Sequence, residues 1–367
     1  MALQRPLRDQ FDWGLFVAVT AIALVGVVNL YSATSAAPNA LREIYIQQIY
    51  WLVLGAGVAV LVASIDYRYY ERYAWGGYIA GVVMLMLVFL LGREVRGAQR
   101  WIPIGAFSLQ PSELMKVFFI VALAKHLHDD PRAEGRTLKD LVIPGLILAG
   151  PLILILAQPD LGTALIIAAV FGTIMFLTHL KLRSFITLVL GFVVSAPLTW
   201  RYLLKDYQRE RMVSFLDSDN DILGKGWHAY QAKIAIGSGG LTGKGFLQGT
   251  QNQHRFLPDQ HSDFPFSVWA EEQGFLGAVL LVMLYTALIL WGLKIATEAK
   301  DRFGAVVAVG VSGLIFWQAV INLGMVCGLL PVVGITLPLV SYGGSSVLTV
   351  MMGIGLLMNI SLRRFHF

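Results

Sequence analysis

Ten apolar runs follow one another along the chain, separated by mostly short polar breaks. They fall at about 13–30, 47–64, 76–92, 112–127, 141–157, 161–179, 184–201, 265–293, 303–330 and 345–362. A helix crosses the hydrocarbon core of a bilayer in about 20 apolar residues. A soluble fold would have to bury all ten runs at once, whereas lipid solvates them directly. Composition agrees: 56% of the 367 residues are hydrophobic and 14% charged, against roughly 25% charged in a soluble domain. The expectation is an all-α polytopic membrane protein, a single integral membrane domain over 1–367, with about ten transmembrane helices. The runs at 112–127 and 141–157 are the least regular, because Glu113 and Lys116 interrupt one and Pro144 and Pro151 the other. Proline is tolerated in a spanning helix where neighbours satisfy the backbone groups it frees. The first run is long enough to span, and no small-residue cleavage site marks it as a signal peptide.

Basic residues orient the bundle. With the N-terminus inside, the inner segments carry Arg5, Arg8, Arg68, Arg72, Lys125, Arg132, Arg136, Lys139, Lys181, Arg183, Lys294, Lys300, Arg302, Arg363 and Arg364. The short outer loops carry only Arg42, Arg93, Arg96 and Arg100. Eight more lie in the long segment 201–263, and long loops escape the positive-inside rule. Both termini are therefore expected in the cytoplasm, with 201–263 as a large extracytoplasmic loop. A net charge of +5 is explained by this bias and calls for no nucleic acid. The single cysteine, Cys327, excludes an intrachain disulfide or a cysteine-cluster metal site.

The polar exceptions carry the chemistry. Arg93, Arg96 and Arg100 sit together where the bias should exclude them, either as a solvated loop or as a basic cluster facing an anionic headgroup. Glu113 and Lys116 share a helix face. Ionisable groups at membrane depth face a cavity or each other, so the pair either locks the bundle or lends the Lys116 charge to a bound phosphate. Asp160, in Gln158-Pro159-Asp160-Leu161-Gly162-Thr163, is placed to cap a helix. It is also placed to meet a cation or a sugar hydroxyl at the outer end.

In the long outer segment, 237–245 looks phosphate-binding but is not a Walker A loop. Ser238 stands where the first glycine belongs and Gly245 where Ser or Thr belongs. A flexible turn after a short amphipathic stretch, 227–236, is expected, with side chains such as Ser238 lining a groove. Asp263, just before Pro265, is either an N-cap or a general base. His254 and His261 lack the spacing of a helical zinc site. Residues 328–346 are apolar yet rich in Pro and Gly, which predicts a re-entrant or cavity-lining loop buried against protein.

These same segments identify a resemblance. Gly97-Ala98-Gln99-Arg100-Trp101, Gln110-Pro111-Ser112-Glu113, Gln158–Thr163, Ala235–Gly240, His261-Ser262-Asp263-Phe264 and Leu330–Ser345 resemble the SEDS family of bacterial cell-wall polymerases (shape, elongation, division and sporulation). The similarity runs nearly the whole chain. Asp206-Tyr207-Gln208-Arg209, and Gly249-Thr250-Gln251 ahead of Phe256-Leu257-Pro258, favour the elongation branch. Pro265 departs from the bulkier apolar residue usual there, a change expected to touch the helix start more than the chemistry.

The resemblance implies a peptidoglycan glycosyltransferase that polymerises lipid II on the outer face of the bacterial cytoplasmic (inner) membrane. It implies that Asp263 is the catalytic residue and that a class B penicillin-binding protein, a transpeptidase, is the partner. The donor would be a glycan on undecaprenyl pyrophosphate. Arg100, Lys116, Arg209 and Lys233 are candidates to neutralise the leaving pyrophosphate, with room for a divalent cation (Mg or Mn) near Asp160 or Asp263 and no organic cofactor. The main rival is a flippase or transporter of a lipid-linked precursor, which would gather its polar groups near the midplane with access from both sides. A scaffold that only recruits other enzymes leaves the charges unexplained.

Overall fold

The computed structural model describes residues 11–364 apart from 37–41, 96–97, 106, 132–134, 179, 255, 257–259 and most of 185–226. The expected span at 184–201 lies mostly outside the described residues, as do Arg96, Asp206-Tyr207-Gln208 and Leu257-Pro258. The other nine apolar runs are helices: α1 (Trp13–Ser35), α2 (Ile44–Ser64), α4 (Ala74–Leu91), α5 (Pro111–Asp129), α6 (Val142–Ala157), α7 (Leu161–Leu177), α10 (Pro265–Glu298), α11 (Arg302–Val326) and α12 (Gly344–Arg363). Short helices α3 (Tyr67–Arg72), α8 (Trp227–Ser238) and α9 (Thr250–Gln253) fill the connections. Among the described residues seven helices are long and apolar enough to cross a membrane; in the fifth run a 3₁₀ turn, Leu138–Leu141, lengthens α6 to that size. Helix α7 is apolar but shorter. Helix α5 carries Glu113 and Lys116 and is mostly buried, a core helix rather than a lipid-facing one.

One correction applies to the all-α expectation. Residues 93–109, read as a plain outer loop, form a three-stranded antiparallel sheet, β1 (Arg93–Val95), β2 (Ala98–Ile104) and β3 (Phe107–Leu109), in the order β1-β2-β3. Trp101, Ile102, Ile104 and Phe107 supply the aromatic and β-branched content that strands prefer. Ile104 faces Phe107 across a tight turn that Gly105 opens at φ +61.

Two sets of contacts separate the ends of the bundle. At one end, Asp12 caps α1 through the Leu15 amide (3.3 Å) and accepts the Trp291 indole (2.5 Å) and the Ser361 hydroxyl (2.9 Å). Arg363 donates to the carbonyls of Ala63 and Ser64, and Tyr67 to Asp301. The start of α1 and the end of α12 therefore share one end of the bundle. The opposite end gathers the sheet, α8, α9 and the starts of α5, α7, α10 and α12. Helices α5, α11 and α12 form the interior, with α2 along α12 and α10 along α11.

Candidate functional site

Three clusters meet at this second end. The first is built on Asp160, which is 5% exposed and caps α7 through the Thr163 amide at 3.3 Å. Its Oδ2 also accepts the Thr163 hydroxyl (3.0 Å), Gln110 Nε2 (3.0 Å) and the Ser112 hydroxyl (3.2 Å). Arg100 of β2 lies 3.9 Å from Oδ1 and donates to the carbonyls of Gln158 and Pro159. The sheet arginine is thus drawn onto the α6–α7 corner, and Arg93 pairs with Trp101 across the ladder. The Gln110 amide donates to Ser345 Oγ at 3.0 Å, tying the start of α5 to the start of α12. One turn further in, Lys116 donates to Glu113 at 2.7 Å; both are buried. The ion pair predicted from the three-residue spacing is present.

The second cluster surrounds Asp263. The N-cap residue of α10 is Phe264, whose own side chain makes no capping bond, and Pro265 takes the first helical position, where its missing N–H costs nothing. The N-cap position thus falls one residue past Asp263. Asn322, fully buried in α11, donates from Nδ2 to the Asp263 carbonyl (3.1 Å) and to the Ile335 carbonyl (2.6 Å). A Cβ on Gly334 would stand 3.6 Å from Asp263 Oδ2, so loop 327–343 is the wall beside the carboxylate. Gly162, two residues past Asp160, packs against Val333 and Ile335 of the same wall. Asp160 and Asp263 therefore flank one loop.

That loop is irregular and buried, as its sequence predicts. Ile335, Leu337, Leu339 and Val340 are each at most 5% exposed. Its carbonyls are met by side chains from surrounding helices: Ile335 by Asn322, Ser341 by Gln48 (3.1 Å) and Pro338 by the Tyr285 hydroxyl (2.6 Å). The Ser341 hydroxyl accepts the Leu337 amide at 2.7 Å, and the Tyr342 amide donates to the His261 carbonyl at 2.8 Å. Burial pushes the half-buried Tyr342 phenol up, which keeps it protonated as it donates to Gln47 (2.6 Å).

The third cluster was not singled out in the sequence. Helix α10 breaks at Gly274 (φ 66, ψ −164), freeing two carbonyls and two amides from the helical ladder. Residues 240–245 take up all four. Lys244 and Gly245 donate to the carbonyls of Glu271 and Glu272 (both 3.0 Å), and Phe275 and Leu276 donate to those of Gly240 (2.9 Å) and Leu241 (3.1 Å). Gly243 (φ +82) and Gly274 press backbone on backbone, and a Cβ at either would collide. The expected flexible turn is a docked strap. Two buried carboxylates hold it. Glu271 Oε1 accepts Lys244 Nζ (2.7 Å), Thr250 Oγ1 (3.1 Å), the Gln251 amide (3.1 Å) and, more weakly, Ser238 Oγ (3.4 Å). Glu272 accepts the Ser32 hydroxyl of α1 and the amides of Leu247 and Gly249. Two ionisable residues in an apolar run were the signal that could have found them.

Of the other predicted residues, Lys233 of α8 is exposed and lays its stem over Gly328, just past the end of α11. Arg209 donates to the Arg201 carbonyl at 2.8 Å. For a divalent cation, Asp160 is a poor fit, because its described partners are all donors. Among the described residues no three His, Cys, Asp or Glu side chains gather around either aspartate as a ready-made metal site.

The sequence model of the family described as "Cell cycle protein" (FtsW, RodA, SpoVE) matches residues 12–366. The chain is 42% identical over 357 residues to "Peptidoglycan glycosyltransferase MrdB" of Escherichia coli (strain K12), covering 97% of this chain and 95% of that one. It is 32% identical to "Peptidoglycan glycosyltransferase RodA" of Treponema pallidum (strain Nichols), over 97% and 98% of the two chains. Among solved structures it is similar to a chain from work on structural coordination of polymerization and crosslinking by a peptidoglycan synthase complex. That likeness has a TM-score of 0.84 and 34% identity, and covers 97% and 99% of the two chains. The rod shape determining protein RodA of Thermus thermophilus is similar at TM-score 0.73 and 33% identity, over 97% and 98%.

Proposed function

Because the chain belongs to the FtsW/RodA/SpoVE family of cell cycle proteins, we propose a mechanism in which Asp263 is the general base of glycan polymerisation. The chain is a peptidoglycan glycosyltransferase that polymerises lipid II, and a multi-pass membrane protein. The finer reading has ten spans, both termini in the cytoplasm of a bacterial inner membrane, and the site on the extracytoplasmic face.

The observation that carries the assignment is the position of Asp263 at the mouth of α10, one residue before the N-cap. Its backbone is pinned by Asn322 and its carboxylate faces Gly334. Asp263 takes the proton from the acceptor lipid II hydroxyl as that oxygen attacks the anomeric carbon of the donor. The donor is the growing glycan on undecaprenyl pyrophosphate. Attack opposite the departing pyrophosphate inverts the centre without a covalent enzyme intermediate, by analogy with inverting glycosidases.

Positive charge must meet the developing pyrophosphate. Arg100 and Lys233 retain exposed surface at the outer end, with Arg209 as a third candidate; Lys116 is held by Glu113 in the wall behind. A Mg or Mn ion at Asp263 would add charge at the same place. Glu113, Asp160 and Ser238 act by holding the floor of the site. A class B penicillin-binding protein is the proposed partner, supported by the likeness to the synthase-complex chain. The precursor-transporter reading is not favoured, since the relatives that the chain matches over nearly its whole length are named peptidoglycan glycosyltransferases.

The test uses purified protein, its co-expressed penicillin-binding partner, lipid II and a divalent cation, with moenomycin to silence contaminating transferases. A ladder of glycan strands that disappears with Asp263→Asn is the expected result. Strands of unchanged yield from a folded Asp263→Asn protein would remove Asp263 from its role.

A further inference from the structure

At the end remote from Asp263, a cavity of about 610 Å³ is lined by Asp66, Arg68, Tyr69, Glu71, Arg72 and Lys125. It lies where α2 passes through α3 into α4, against the last turns of α5. Its carboxylates are already engaged. Asp66 accepts the Arg68 amide (3.0 Å) and lies 3.8 Å from the Arg363 guanidinium. Glu71 accepts Lys125 Nζ at 3.1 Å, with His128 Nε2 at 3.7 Å. Lys125 is shared with Asp129 at 2.7 Å. The surplus is therefore Arg68 and Arg72. They stand four apart on α3, on one face, and both are exposed. Among the described residues neither guanidinium pairs with a carboxylate.

A second observation says what such a pair would meet. Tyr69 lines the cavity, and the elements that form it carry further exposed apolar and aromatic side chains. Leu61 and Ile65 lie at the end of α2, Tyr69 on α3, and Tyr73, Trp75 and Ile79 at the start of α4. Apolar surface of this kind, at the end of a spanning helix, faces acyl chains. Tyr and Trp at this level mark the headgroup layer. Two fork-shaped cations on the same elements as this lipid-facing surface form a place for a phosphodiester, which arginine binds bidentately. We infer that this cavity binds the headgroup of an anionic phospholipid from the leaflet at this end. The inference stands apart from the polymerase mechanism and survives its failure.

The experiment titrates the full-length protein in neutral detergent with phosphatidylglycerol and counts retained lipid by native mass spectrometry. Wild type should hold one phosphatidylglycerol about thirtyfold more tightly than Arg68→Gln/Arg72→Gln, on the order of what two basic groups at an anionic headgroup contribute. Arg68→Lys/Arg72→Lys should recover part of the difference, because the charge remains and the fork is lost. Equal retention by wild type and the double glutamine variant overturns the site. Displacement by millimolar inorganic phosphate would assign it to a free anion, and equal retention of phosphatidylcholine would remove the anionic preference; either result overturns the inference as stated. Should the double variant fail to fold, Arg68→Gln and Arg72→Gln singly carry the test, each expected to lose about fivefold.

Discussion

Two stretches of irregular backbone meet at the Asp263 end of the bundle, the wall 327–343 and the strap 239–251, and opposite chemistries hold them. The wall beside Asp263 is fixed by neutral groups: the side-chain amides of Asn322 and Gln48 and the Tyr285 hydroxyl donate to it, and the Ser341 hydroxyl accepts the Leu337 amide. The strap is fixed by two buried carboxylates, a lysine and four backbone bonds into the break at Gly274. Charge is strong in a low-dielectric interior, so a carboxylate or ammonium placed in the wall would perturb the protonation of Asp263. Neutral amides orient the wall without adding a field. The strap's bonds engage residues other than Asp263, and there the stronger interactions are used.

If this contrast is right, substitutions in the wall should act on catalysis and those in the strap on stability. Asp263→Asn should give the largest effect, a loss of at least about 10³-fold in strand formation with the thermal midpoint retained, as expected for a general base. Gly274→Ala should destabilise by about 3 kcal/mol, because the residue must adopt φ 66 against the backbone of Gly243. A detergent thermal melt reads that change. Glu271→Gln should cost about 2 kcal/mol in the same melt, by weakening charge-assisted bonds to Lys244 and the Gln251 amide. Removing the lysine as well, with Lys244→Met, should cost less than the sum of the two single changes.

Asn322→Leu sharpens the contrast. Turnover should fall about tenfold with little change in the apparent affinity for lipid II, since two carbonyls lose their donor but no substrate group is removed. A change in affinity alone would place Asn322 on the substrate rather than behind Asp263. The smallest effect is expected from Arg100→Lys. The lysine keeps its charge near Asp160 but cannot reproduce donation to Gln158 and Pro159 from one planar group. A stability loss of about 1 kcal/mol would follow.

Much of this arrangement was legible in the chain. Nine of the ten apolar runs are helices, and the Glu113–Lys116 pair followed from three-residue spacing. The Asp160 cap followed from its place before Leu161, and the buried irregular loop from proline and glycine in apolar surroundings. These are local signals. The sheet at 93–109 was missed because three short strands bordering a membrane bundle leave a weaker pattern than a helix. Glu271 and Glu272 stood in plain view, but their partners are 20 to 240 residues away. No local pattern says that Lys244, Thr250 and Ser32 will meet them.

Sequence alone determined that the chain is a bundle in lipid, which end is basic, and which aspartates lie at the other end, because hydropathy and charge act residue by residue. Only the tertiary structure decided that Asp263 stands one residue before the N-cap of α10 and that Asp160 is held by donors. It alone seated the strap in a broken helix and left Arg68 and Arg72 without carboxylate partners among the described residues. Each of those depends on which groups fold against one another. In a low-dielectric interior, a polar group's role is set by the partner it finds there.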